Sequence, residues 1–169
     1  LDNLVLFLSS NTGSLFSANK ISEYLKSQKV NIPPNQVQLY ISHLSDAYII
    51  LTAKRYNLKG KRLFEIGEKY YFENIGIRNA MWGYRLEDRG KIVENIVFNH
   101  LLYNEFVTHI GILDDKEIDF VAQKEGEIRY IQVALRLLEE KTIAREFGNL
   151  LAINDNYPKQ VITFDKYTG

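Results

Sequence analysis

Gly90-Lys91-Ile92-Val93-Glu94-Asn95-Ile96-Val97, Glu117-Ile118-Asp119-Phe120-Val121 and Ile128-Arg129-Tyr130-Ile131-Gln132-Val133 form the stretch on which the reading turns. In the first run, apolar residues recur at Ile92, Val93, Ile96, Val97 and Leu101, the spacing of a helix with a broad buried stripe, and Glu94 lies inside it. The other two runs are short, β-branched and aromatic, and Gln123-Lys124-Glu125-Gly126-Glu127 separates them. With Glu125-Gly126 as a two-residue turn, Lys124 faces Glu127, and the ladder sets Asp119 opposite Gln132 on one face of the sheet. A lone buried carboxylate there is costly unless it is hydrogen-bonded, paired or bound to a metal. The expectation is a metal site or the remains of one, with Glu94, Asp119 and Gln132 converging on one cleft.

Outward from this stretch, the second half reads α-β-β-β-α-β. The Glu94 helix is followed by a strand from Val107 to Leu113, the Asp114-Asp115-Lys116 turn and the two paired strands. A helix from about Glu139 to Ala152 comes next, with Ile143, Phe147, Leu150 and Leu151 expected inward, and Val161-Ile162-Thr163-Phe164 closes the half as a strand. The first half reads as three helices and a hairpin. Leu4 to Leu8 is an apolar helical run, and Ser17 suits the N-cap of a helix from Ala18 to Gln28 with Ile21, Tyr24 and Leu25 inward. Pro34 suits the first position of a third helix, whose buried side is Val37, Leu39, Tyr40, Ile41 and Leu44. The strands Tyr48–Thr52 and Arg62–Ile66 then flank a tip that holds Lys54, Arg55, Lys59 and Lys61, with Arg62 opening the second strand. Three helices and a basic-tipped hairpin make a winged helix-turn-helix pattern. Tyr70, Tyr71 and Phe72 read as core rather than as a stacking platform for bases, and the segment that carries them joins the halves.

The wing residues Lys54, Arg55, Lys59, Lys61 and Arg62 are the dense basic cluster and the candidate contacts to DNA phosphates. The third helix contains no Arg or Lys, which favours a docking role for this half over base readout. Overall the chain has 21 basic and 21 acidic residues, so no global field drives it onto DNA or an anionic membrane. Residues 1–84 carry 10 Lys and Arg against 6 Asp and Glu, however, which assigns any electrostatic footprint to the first half. The division is expected at 84/85, with a winged-helix domain and junction in residues 1–84 and a nuclease-like domain in 85–169.

Gly90-x-x-x-Glu94, then Asp119, then Gln132-Val133-Ala134 at an acid-x-Lys position resembles the PD-(D/E)XK nuclease core. More closely, Lys116-Glu117-Ile118-Asp119-Phe120-Val121 with Tyr130-Ile131-Gln132-Val133 is similar to the domain of unknown function found C-terminal to the ATPase core in bacterial and archaeal ATP-binding proteins of the AAA+ superfamily. The likeness covers nearly the whole chain. It takes in Arg55-Tyr56-x-x-Lys59-Gly60-Lys61, Lys69-Tyr70-Tyr71-Phe72, Gly76-x-Arg78-Asn79 and Thr142-x-x-Arg145-Glu146-Phe147. What the resemblance implies is an α+β or α/β chain, a winged helix-turn-helix followed by a restriction-endonuclease-like αβββαβ core. It also implies an Mg²⁺ site with Glu94 and Asp119 as ligands, and DNA and the ATPase domain of the same longer chain as partners. ATP would bind in that domain, since the chain has no Gly-rich phosphate loop.

Against the nuclease pattern, Gln132 stands where the second acid belongs and Ala134 where the Lys belongs. Gln132 offers a neutral carbonyl and no charge for a divalent ion, so the catalytic set is expected to be vestigial. Lys116 and Arg136 are the nearest substitutes for the missing cation; an ammonium or guanidinium at Asp119 would favour an active Mg²⁺-dependent nuclease with a rearranged site. A protein-recognising adaptor is the third reading. The Asp114-to-Asp119 acids lack the Gly and distant Glu of a calcium loop, and His43, His100 and His109 show no ligand or triad spacing.

With no cysteine, disulfides, thiolate metal sites and a cysteine nucleophile are excluded, in keeping with a cytoplasmic protein. No apolar run reaches the length of a membrane span, no signal peptide is visible, and a first residue other than Met reads as a piece of a longer chain.

Overall fold

Local capping and hydrophobic spacing account for most of the elements. The computed structural model describes residues 1–137 and 140–165. Among the described residues, six α-helices and the seven strands of a mixed sheet give a mixed α/β chain with two compact units, residues 1–54 with 65–88 and residues 55–64 with 89–169. Compared with the division expected at 84/85, the boundary falls at 88/89 and the hairpin tip 55–64 belongs to the second unit.

In the first unit, α1 (Asp2–Ser10) buries Leu4, Phe7 and Leu8, and Asn11 ends it by donating its side-chain amide to the Phe7 carbonyl. After β1 (Leu15–Phe16), the Ser17 hydroxyl accepts the Lys20 N–H and starts α2 (Ala18–Ser27), which buries Ile21 and Leu25. Pro34 opens α3 (Pro34–Asp46), whose buried residues are Val37, Ile41 and Leu44; Leu39, expected inside, is exposed. The long hairpin strands β2 (Ile50–Asn57) and β3 (Arg62–Phe72) follow, β1 pairing antiparallel with β3 through Leu15 and Lys69. Tyr70, Tyr71 and Phe72 are all buried, as core residues should be. Asn74 then caps α4 (Ile75–Trp82) by accepting the Gly76 N–H. Arg78, fully buried on α4, donates to the carbonyls of Ser9 and Gly83 and pairs with Asp88 in a single 3-10 turn, Leu86–Asp88. One guanidinium therefore ties the end of α1 to both ends of the segment that closes this unit, and removing either partner would strand a buried charge.

The second unit has the order read from the sequence. It comprises α5 (Arg89–Tyr103), β4 (Val107–Leu113), β5 (Lys116–Lys124), β6 (Glu127–Ala134), α6 (Glu140–Leu151) and β7 (Lys159–Thr163). Glu139, the expected start of the last helix, lies outside the described residues. Strands β4, β5 and β6 are antiparallel, and β6 and β7 run parallel across the α6 crossover. Glu125 and Gly126 have φ of 50° and 85°, a two-residue turn that fixes Lys124 against Glu127. The tip of β2 adds to the same unit, Arg55 to Asn57 running parallel to Ile110 to Ile112. Arg55 to Asn57, read from the sequence as part of the hairpin tip, are thus residues of a hydrogen-bonded strand.

Two expectations about the helices are corrected. On α5, Phe98 stacks on Phe120 at 5.7 Å between centroids while Ile96 is half exposed. On α6 the inward residues are Glu146 and Leu150; Ile143, Phe147 and Leu151 are exposed, Leu151 by 75%. Leu150 joins Leu113, Ile118, Val121 and Tyr130 in the core. The stripe predicted from apolar residues alone is rotated because the buried position between Ile143 and Leu150 belongs to a carboxylate.

Between β4 and β5 the register slips, and the slip places the site. His109 faces Val121 and Gly111 faces Ile118, so two residues of β5, Asp119 and Phe120, share one partner, Ile110. This bulge brings Ile118 and Val121 onto Gly111, where an added Cβ would sit 2.9 Å from the Ile118 Cβ and 2.8 Å from a Val121 methyl. Gly111→Ala should lower stability by about 1–3 kcal/mol through overpacking, measured by urea unfolding; an unchanged midpoint would show that the bulge closes without a glycine.

Candidate functional site

Out of the regular ladder, Asp119 makes its cross-strand contacts through side chains. Its N–H donates to Gln132 Oε1 at 2.6 Å, and its Oδ2 accepts the Val133 N–H at 2.8 Å. Gln132, 4% exposed, turns its other end to α6, where Nε2 donates to Glu146 Oε2 at 2.9 Å. Glu146 is equally buried, and its second oxygen takes two N–H bonds from the Arg145 guanidinium, which lies out in solvent. The amide orientation follows from this network: a backbone N–H requires the oxygen and a carboxylate requires the nitrogen.

Asp119 and Gln132 therefore meet as read from the sequence. Glu94 is not a partner of Gln132 among the described residues; it sits half-buried on α5, and the acid at Gln132 is Glu146 from α6. Glu146 is the site residue that the sequence reading leaves out, because hydrophobic spacing follows the apolar residues of α6 and passes over a carboxylate. Neither substitute cation reaches the site among the described residues. Lys116 opens β5 exposed, Arg136 is exposed beyond β6, and Ala134 is buried where it pairs with Thr163.

As arranged, these donors do not fit Mg²⁺. The Gln132 carbonyl is committed to a backbone N–H, its nitrogen cannot ligate, and one Asp119 oxygen is taken by Val133. Among the described residues, no group of three His, Cys, Asp or Glu side chains is placed to hold a metal ion.

Of the five basic residues of the hairpin, Lys54 belongs to the first unit and Arg55, Lys59, Lys61 and Arg62 to the second. Arg55 lies over the Phe64 ring at 4.5 Å, and Lys59 pairs with Asp114 at 2.7 Å. Lys54, Lys61 and Arg62 are exposed. With the hairpin tip reassigned, the first unit has 7 basic and 8 acidic residues and the second 14 and 13, so the positive first half is not a property of a folded unit.

A second polar cluster lies at the loop before β7. Asp155 accepts the Tyr130 hydroxyl at 2.6 Å and the Lys159 ammonium at 3.1 Å, and Lys159 also donates to the Asp155 carbonyl. Burial pushes the Asp155 carboxyl up, but the bonds from Tyr130, Lys159 and the Tyr157 N–H outweigh it and hold the group below its ordinary value. Burial and the same carboxylate raise the Tyr130 hydroxyl.

A protein of Haemophilus influenzae, described as uncharacterized, is 37% identical over 167 residues, covering 99% of this chain and 41% of its own length. An uncharacterized protein of Methanocaldococcus jannaschii is 27% identical over 146 residues, 82% of this chain and 31% of its own. The chain thus spans about two fifths or less of the length of these curated relatives. No protein-family model matches the chain, and no solved structure gives a significant match. No helix among the described residues is long and apolar enough to cross a membrane.

Two outcomes are expected. Gln132→Glu removes the donor to Glu146 and sets two carboxylates together, costing about 3 kcal/mol at neutral pH; millimolar Mn²⁺ should recover part of the thermal midpoint in this variant and leave the native protein unmoved. A native midpoint that rises with Mn²⁺ and stops rising in Asp119→Ala would reverse the assignment. For Asp155, a carboxyl held below its unfolded value stabilises the fold above that value and loses the effect as pH falls through the folded one. Asp155→Asn should therefore cost about 1 kcal/mol at pH 7 and progressively less as pH falls below about 4, the ordinary carboxyl range, read from thermal midpoints across that range.

Proposed function

We infer that the chain is the non-ATPase part of a longer AAA+ type ATP-binding protein, in which a winged helix precedes a restriction-endonuclease-like unit that binds nucleic acid without cutting it. The order α1-β1-α2-α3-β2-β3 supports the first assignment and α5-β4-β5-β6-α6-β7 the second. The observation that carries the non-hydrolytic reading is the Gln132 amide, spent on Asp119 N–H and Glu146 at the position of the second acid. A metal-activated water needs charged oxygens around an octahedral ion, and that position supplies no charge. Exposed Lys54, Lys61 and Arg62, with no hydrogen-bond or ion-pair partner among the described residues, support phosphate contact.

A protein-docking role is the second reading, favoured by Ile143, Phe147 and Leu151, which line up at helical spacing on the exposed side of α6. The partner in that reading is the ATPase domain of the same longer chain.

Fluorescence anisotropy with labelled duplex and single-stranded oligonucleotides tests the first reading. Binding should weaken with salt, and Lys54→Glu with Arg62→Glu should reduce the logarithmic salt slope by about 0.9 per lost contact on duplex DNA. No cleavage is expected with Mg²⁺ or Mn²⁺. Absence of binding at low salt would leave the docking reading, and cleavage abolished by Asp119→Ala would establish an active nuclease.

A further inference from the structure

A cavity of about 400 Å³ opens in the second unit between the hairpin tip, the β5–β6 hairpin and the loop before β7, clear of the Asp119–Gln132–Glu146 chain. Its apolar lining includes Leu113, Val121, Ile128 and Ile153, continuous with the core of that unit. Three tyrosines also line it, each held by its neighbours. Tyr56 stacks on His109 at 5.9 Å, Tyr157 meets the Tyr130 ring edge-on at 6.5 Å, and Tyr130 is anchored through its hydroxyl to Asp155.

The polar groups on the lining fall into two sets. Asp155 and Lys59 are engaged with the protein itself, Asp155 by Tyr130 and Lys159 and Lys59 by Asp114. Lys61, Gln123 and Asn154 have no side-chain hydrogen-bond or ion-pair partner among the described residues, and Gln123 is half-buried. A cavity in the size range of small-molecule sites, apolar and aromatic with a few convergent polar groups, has the form of a ligand pocket. Its unspent groups specify the ligand: the tyrosines suit a flat aromatic body, the two carboxamides a ring edge that both donates and accepts, and the ammonium an anion. A metal cation does not suit it, because the one carboxylate on the lining already holds Tyr130 and Lys159.

We propose that this cavity binds a nucleoside monophosphate, with the base on the tyrosines, its edge at Gln123 and Asn154, and its phosphate at Lys61. The same group is presented by a free nucleotide and by the phosphorylated end of a nucleic acid strand. The proposal goes beyond the reading of the Gln132 site, and binding of a mononucleotide is measured independently of binding to a long strand.

Calorimetric titration of the 169-residue chain decides it, using the four common nucleoside 5′-monophosphates, the matching nucleosides, inorganic phosphate and a 5′-phosphorylated oligonucleotide. At least one nucleotide should saturate a single site, with its nucleoside roughly tenfold weaker, a difference of the size of one charge-assisted hydrogen bond. Lys61→Ala should bring the nucleotide down to the affinity of the nucleoside and leave the nucleoside unchanged. Gln123→Ala should weaken both. Neither side chain has a hydrogen-bond or ion-pair partner among the described residues, so thermal midpoints close to native are expected and provide the folding control. An oligonucleotide tighter than the free nucleotide marks a strand end as the natural source, equal affinity marks the free nucleotide, and either supports the pocket. No saturable binding of any nucleotide at millimolar concentration overturns the proposal. So does an affinity that neither variant changes, or inorganic phosphate binding as tightly as the nucleotides.

Discussion

Gln132 meets two opposite demands with one planar group. At one end a strand N–H released by a bulge needs an acceptor, and at the other a buried carboxylate needs a donor. Among the uncharged side chains, a carboxamide of this length spans both, since a hydroxyl cannot bridge the distance and an acid would offer oxygen to oxygen. The bulge at Asp119 and Phe120, the crowding of Gly111 and the seating of Glu146 against the sheet are mutually dependent consequences of that bridge. The buried charge of this network therefore sits on the helix, at Glu146, and not on the strand, and Arg145 neutralises it at the surface.

The distribution of charge follows the folded units rather than the linear halves. Assigning residues 55–64 to the second unit carries four basic residues with them and leaves both units close to neutral. Any affinity for polyanions is then a matter of local clusters and of which lysines remain unspent, not of a field surrounding one domain. Arg55 and Lys59 are already occupied by an aromatic ring and a carboxylate, so a count of basic residues overstates what the hairpin offers.

Much of the fold was legible because its signals are local. Ser17 and Pro34 mark helix starts, Glu125-Gly126 fixes one hairpin register, and the pairing of Lys124 with Glu127 carries up the strands to bring Asp119 to Gln132. The misreadings have a common origin in burial of charge. Hydrophobic spacing assigns Ile143 and Phe147 to the core and passes over Glu146, because periodicity weighs apolar side chains and cannot see a carboxylate compensated by Gln132. Arg78 is hidden for the same reason, its partners Ser9, Gly83 and Asp88 being spread over 80 residues of chain. The addition of the β2 tip to β4 was not legible either, since parallel pairing of strands so distant in sequence leaves no turn signal.

That pairing makes the second unit discontinuous along the chain. Arg55 reaches its neighbour Ile110 only after 54 intervening residues have been spanned, and the loop so closed contains β3, α4 and α5. Closing a loop of this length has an entropic cost that increases with chain length, and contacts of high sequence separation form late in folding. Securing the strand that covers one edge of β4 thus carries a larger closure cost than forming the β5–β6 hairpin. A polypeptide cut at its linear midpoint would leave β4 with an open edge of unpaired N–H and C=O groups, a template for association with another chain. Dissecting this molecule into autonomous halves therefore requires a cut in space rather than in sequence.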